Sequence, residues 1–93
     1  MNFPNNTDPK YALSTEDCGE LTKRFTYHSP RDDQPERYAM IREWGRQMAI
    51  LVMQCCPPSR ERSLALTKLE EVVMWANAAI ARHEPQEAAK AED

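Results

Sequence analysis

From residue 36 to residue 55 the apolar or small residues Tyr38, Ile41, Gly45, Met48, Val52 and Cys55 recur at alternating spacings of three and four, with Trp44 and Leu51 beside them. That period places them on one stripe of an α-helix. Pro57-Pro58 ends the pattern, and Ser59 is placed to cap a second helix running to about His83. In this second helix Ala65, Leu69, Val72, Ala76 and Ala79 form the stripe, widened by Leu66, Val73 and Ile80. A connection this short turns the two helices antiparallel. Upstream, Ser14 with Asp17 three residues on reads as a capping signal for a short helix over roughly 15–24. Its acids lie early and Lys23 and Arg24 lie late, which suits the helix dipole. Residues 25–35 form a loop broken by Pro30 and Pro35, and Asp33 with Glu36 opens the long helix.

The expected fold is all-α: a short N-terminal helix packed on a long antiparallel helical hairpin. One domain covers residues 1–83 and includes an extended N-terminal arm carrying Phe3, Tyr11 and Leu13. Residues 84–93 form an acidic, flexible tail. Met40, Trp44, Leu51, Leu64, Met74 and Trp75 cannot all face one partner helix, so a lone hairpin leaves apolar surface in water. A chain of 93 residues also buries little of its surface by itself. Both arguments predict a homo-oligomer.

Composition narrows the function. Net charge is −3, and residues 84–93 account for all of it, with four acids against Lys90. The balanced body has no basic excess for DNA. No apolar run reaches the ~18 residues of a membrane span, and the N-terminus does not read as a signal peptide. Three cysteines, Cys18, Cys55 and Cys56, form neither a C-x-x-C pair nor a Cys/His cluster, so a metal is not expected and the thiols read as reduced and cytosolic. Gly19 and Gly45 stand alone, so there is no phosphate-binding glycine loop. His28 and His83 lack acidic partners at triad spacing; no catalytic residue and no cofactor is expected.

Three places carry candidate chemistry. Lys23, Arg24, Phe25, Thr26, Tyr27, His28 and Arg31 put cations, hydroxyls and aromatic rings within nine residues, and Tyr11 adds another ring. Phosphates need charged donors, and nucleobases need flat faces and edge hydrogen bonds. The plainer reading is that Phe25 and Tyr27 anchor the loop. Arg60, Ser63 and Thr67 share one face near a helix N-terminus, a pole that favours anions; capping and an exposed face are the alternative. Asn77, in an apolar helical run, needs a partner, which is either structural or a ligand.

The segments Phe25-Thr26-Tyr27-His28, Gln34 with Tyr38 and Ile41-Arg42, Ser59 to Glu71, and Met74 to Arg82 resemble the helical hairpin of phage-encoded anti-CBASS sponges, over about residues 10–83. The related Thoeris anti-defence sponges share that hairpin. The resemblance implies a non-enzymatic protein that sequesters cyclic di- and trinucleotide messengers, of the cyclic GMP–AMP and cyclic tri-adenylate types, in the cytoplasm of the infected bacterium. It implies a homohexamer with dinucleotide pockets between protomers and trinucleotide sites near threefold axes. Tyr11, Arg24, Thr26, Tyr27 and His28 would then hold the dinucleotide. Arg60, Ser63 and Thr67 would hold the trinucleotide. Some relatives carry a lysine near position 26; here Thr26 follows Lys23 and Arg24, which leaves open which cation meets the phosphate. A protein-binding or regulatory hairpin is the alternative function.

Overall fold

The computed structural model describes residues 9–84. Phe3 and most of the acidic tail lie outside them. Three helices follow one another: α1 (Thr15–Phe25), α2 (Gln34–Cys55) and α3 (Arg60–His83). Among the described residues there is no strand.

Local chemistry accounts for each boundary. The Ser14 hydroxyl accepts the Asp17 amide at 2.9 Å, and the Asp17 carboxylate accepts the Ser14 amide at 3.2 Å. This reciprocal capping box starts α1. Before α2, Asp32 adopts a left-handed φ of 53°, a conformation that Asp tolerates better than most residues. The Gln34 amide then closes the turn on the Arg31 carbonyl at 2.8 Å. Asp33 stands at the N-cap, but its side chain makes no cap bond; it pairs instead with Arg37 at 3.0 Å. Ser59 caps α3 by accepting the Arg62 amide at 3.1 Å. Arg62 turns back to donate to the carbonyls of Met53 and Cys56, at 3.3 and 3.2 Å, satisfying the end of α2.

α2 and α3 pair along their lengths in antiparallel order. Gln34 meets Glu84 at one end, Gly45 faces Val73 in the middle, and Met53 meets Arg62 at the other end. The contact stripe differs in part from the expected one. Tyr38, Ile41, Gly45, Ala49 and Val52 of α2 are half-buried, whereas Met48 and Cys55 are exposed. On α3 the half-buried positions include Leu66, Leu69, Val73, Ala76 and Ile80, while Ala65, Val72 and Ala79 stay exposed. The reason lies at Gly45, where a methyl group would sit 2.5 Å from Cγ2 of Val73. At Gly45 α2 has no side chain to hold Val73 off, and that fit selects Val73 over Val72.

α1 touches the hairpin much less than the two long helices touch each other. The shortest dimension of the molecule is 17 Å, little more than one helix with its side chains at about 10–12 Å. Its Cα radius of gyration is 19.2 Å, against about 12 Å for a compact chain of this length. A single layer has no interior, and among the described residues no apolar side chain is fully buried. Trp44 and Trp75 remain 69% and 63% exposed.

Candidate functional site

The loop after α1 folds back over the end of the hairpin opposite the α2–α3 turn. Polar contacts hold it at both ends. The His28 ring reaches the Lys23 carbonyl at 2.9 Å, so Nε2 donates and Nδ1 stays available. At the far end of the loop, Gln34 Oε1 accepts the Arg31 amide at 2.9 Å. Gln34 is 3% exposed, and Gln34 Nε2 donates onward to Glu84 at 2.8 Å. Arg37 forks onto the same Glu84 carboxylate at 2.5 and 2.8 Å. Those bonds, with that to Asp33, strengthen Arg37 as a permanent cation. Glu84 opens the acidic segment in the sequence, yet it is tied to the start of α2 across 50 residues of chain.

Under this loop runs an open groove of about 520 Å³. Arg24, Thr26, Tyr27 and His28 line one side. Tyr38 and Arg42 of α2, one turn apart, line another. Met74, Asn77, Ala78, Ala81 and Arg82 of α3 form the third. The groove thus gathers four of the five residues expected at a dinucleotide site and adds Asn77. Tyr11 is not among its lining residues: it stands 84% exposed on the arm. Tyr38, Arg42 and Arg82 were not singled out as site residues from the sequence. The available signal was helical spacing, since 38 and 42, and 74, 78 and 81, each fall on one face.

Three guanidinium groups, from Arg24, Arg42 and Arg82, face this groove, and among the described residues no carboxylate lines it. In a chain of net charge −3 that is a local reversal of sign. Forked guanidinium donors suit phosphate oxygens, and the phenol rings of Tyr27 and Tyr38 offer faces for bases. Arg24 is partly committed elsewhere. Its Nε donates to Glu20 at 2.7 Å, and that bond holds the Glu20 carboxyl below the usual carboxylate range. Asn77 Oδ1 is buried and has no hydrogen-bond partner. Through that oxygen Asn77 neither caps α1 nor holds the loop.

The second expected site is a surface row. Arg60, Ser63 and Thr67 are exposed along the first two turns of α3. Their neighbour Arg62 is the one occupied with backbone carbonyls. The row lies about 22 Å along α3 from the groove, taking ~1.5 Å per residue between Ser63 and Ala78. A further cleft of about 510 Å³ opens between α1 and α3, with Phe25 and Trp75 on opposite walls. It shares Arg24 and Arg82 with the groove.

Residues 20–81, which is 62 of 93, match the family described as Acb2/Tad1, hairpin domain. The chain belongs to that family. It is the anti-CBASS and anti-Thoeris sponge family that the sequence resembles, and the ligand class it brings is the cyclic oligonucleotide messenger. No curated protein and no solved structure matches the chain. The matched Acb2/Tad1 span contains the loop, all of α2, α3 as far as Ala81 and, apart from Arg82, every residue lining the groove. Among the described residues, no helix is long and apolar enough to cross a membrane. Among them, too, no group of three or more His, Cys, Asp or Glu is placed to hold a metal ion.

The Glu20–Arg24 pair yields a prediction with a definite sign. Glu20→Gln removes a carboxylate that competes with phosphate for Arg24. Exposed pairs of this kind are weak, so cyclic-nucleotide affinity should rise only modestly, by up to about fivefold. Calorimetry reads it directly; a loss of affinity would mean that Glu20 holds Arg24 in its binding geometry.

Proposed function

We propose that this protein sequesters cyclic di- and trinucleotide messengers without cleaving them and so keeps a CBASS effector of the infected bacterium inactive. It acts in the host cytoplasm as a homo-oligomer, on the family's pattern a homohexamer. The observation that carries this reading is the groove. Three arginines and two tyrosines converge there, within a hairpin of the sponge family. Two phosphates and two bases are the chemistry that such a set of donors and rings accommodates.

Arg24, Arg42 and Arg82 take the phosphates, and Tyr27 and Tyr38 take base faces. Thr26, His28 Nδ1 and Asn77 supply edge contacts. Tyr11 reaches a groove from the arm of a neighbouring protomer. Arg60, Ser63 and Thr67, repeated around a symmetry axis, hold the trinucleotide. Sequestration accords with the groove's single imidazole, His28, whose Nε2 is already engaged. Oligomerisation accords with the exposed Trp44, Trp75, Met40, Leu51, Val72 and Met74, which leave the lone protomer without a core.

The test is native mass spectrometry with and without a mixed panel of cyclic di- and trinucleotides, followed by heat release of the ligand. A multi-subunit complex that returns the nucleotide intact is expected. Cleaved nucleotide would make the protein a hydrolase, and no bound nucleotide at all would favour the protein-binding hairpin. Arg60→Ala should weaken cyclic tri-adenylate about 10-fold or more, the worth of a charged hydrogen bond, and leave dinucleotide affinity unchanged. Equal losses for both ligands would argue against two separate sites.

A further inference from the structure

The loop that walls the groove has no apolar anchor. Phe25 and Tyr27 are 83% and 81% exposed, and no apolar side chain among the described residues is fully buried. The loop is nevertheless held in one place. Gln34, the buried polar residue of the described chain, does this with both ends of its side chain. Its Oε1 takes the Arg31 amide, and its Nε2 gives a hydrogen bond to Glu84. Arg37 then fixes the Glu84 carboxylate with two further bonds. Glu84 follows α3 directly, two residues after Arg82 of the groove wall. Gln34 also lines the recess between the loop and α3, beside Thr26, Tyr27 and His28.

We infer that Gln34, Arg37 and Glu84 form a polar clasp that presets the binding loop against the end of α3, and that messenger affinity depends on it although none of the three lines the groove. This rests on the sponge reading above, because it concerns the same groove. Its physical content is preorganisation. If the loop samples many positions, measured affinity falls by the fraction of time it spends in the binding-competent one. A clasp broken so that this fraction drops to a few per cent costs about 10- to 100-fold in dissociation constant. Gln34, Arg37 and Glu84 are positioning residues: they act through Tyr27, His28 and Arg82.

The clasp is tested with full-length Gln34→Ala, Glu84→Ala and the milder Glu84→Gln, each measured in two ways. Hydrogen exchange reports the loop, and calorimetry with cyclic GMP–AMP, cyclic di-adenylate and cyclic tri-adenylate reports binding. The expected result is faster exchange over residues 26–33, unchanged exchange over the middle of α2 and α3, and dinucleotide affinity reduced in the order Glu84→Gln, then Glu84→Ala. Glu84→Gln should retain part of the affinity, because its amide oxygen still accepts from Gln34. Two outcomes overturn the inference: a released loop with undiminished affinity, or faster exchange throughout both long helices, which would make the clasp a general stabiliser. If the unaltered protein binds none of the three nucleotides, the sponge reading fails instead, and exchange still decides whether the clasp holds the loop.

Discussion

Gly45→Ala is expected to lower the melting temperature of the protein, although glycine in a helix ordinarily costs stability. By propensity alone the change should stabilise α2 by about 1 kcal/mol. Against that, the new methyl carbon meets Val73 Cγ2 at 2.5 Å, well inside van der Waals contact. Val73 cannot swing away, because a β-branched side chain in a helix has one strongly preferred rotamer. The helices themselves must separate, and overpacking of this sort costs about 1–3 kcal/mol. The clash therefore outweighs the propensity. A net loss of about 1 kcal/mol lowers the midpoint by about 4–8 °C in a domain of this size. Melting followed by circular dichroism checks it, at one fixed protomer concentration, because the proposed self-association would make the midpoint concentration-dependent. Val73→Ala should rescue the variant, since it vacates the space that the new methyl needs. A double variant no more stable than Gly45→Ala would show that the two residues are not coupled. A higher midpoint for Gly45→Ala alone would show that the helices pass less closely than described.

Gly45 and Val73 also show where sequence reasoning stops. The three helices were legible to within a residue or two, because their ends are written locally: the Ser14–Asp17 box, Pro57-Pro58 and the Ser59 cap. The facing stripe of α3 was harder to read. Apolar residues run most of the way around that helix, and Val72 and Val73 both fit a plausible stripe. A stripe is chosen by its partner, and the partner's deciding feature was a missing side chain at Gly45. The same limit applies to the groove. Arg24, Thr26, Tyr27 and His28 stood out because the loop packs chemistry into a few consecutive residues. Tyr38, Arg42 and Arg82 sit among ordinary helical residues, and only folding brings them to the loop. The link from Gln34 to Glu84 spans 50 residues and had no sequence signal.

Arg82→Glu is expected to abolish cyclic dinucleotide binding. Arg82 is half-buried where the groove and the α1–α3 cleft meet, so its charge serves both. Losing a charged hydrogen bond to phosphate costs about 1.5–3 kcal/mol, or roughly 10- to 150-fold in affinity. Arg82→Gln isolates that part of the effect. Reversal of charge adds repulsion between carboxylate and phosphate. At 4 Å and an effective dielectric of 20 the Coulomb energy is about 4 kcal/mol, which carries the total loss beyond about 1,000-fold. Helix stability is the smaller effect. An acid in the last turn opposes the dipole by about 0.3–1 kcal/mol, too little to account for such a loss by unfolding. Calorimetry with cyclic GMP–AMP should therefore show no heat for Arg82→Glu and a weakened isotherm for Arg82→Gln, with unchanged helical content in both. If both variants bind like the unaltered protein, the phosphates do not lie in this groove. The three guanidinium groups would then be serving contacts between protomers.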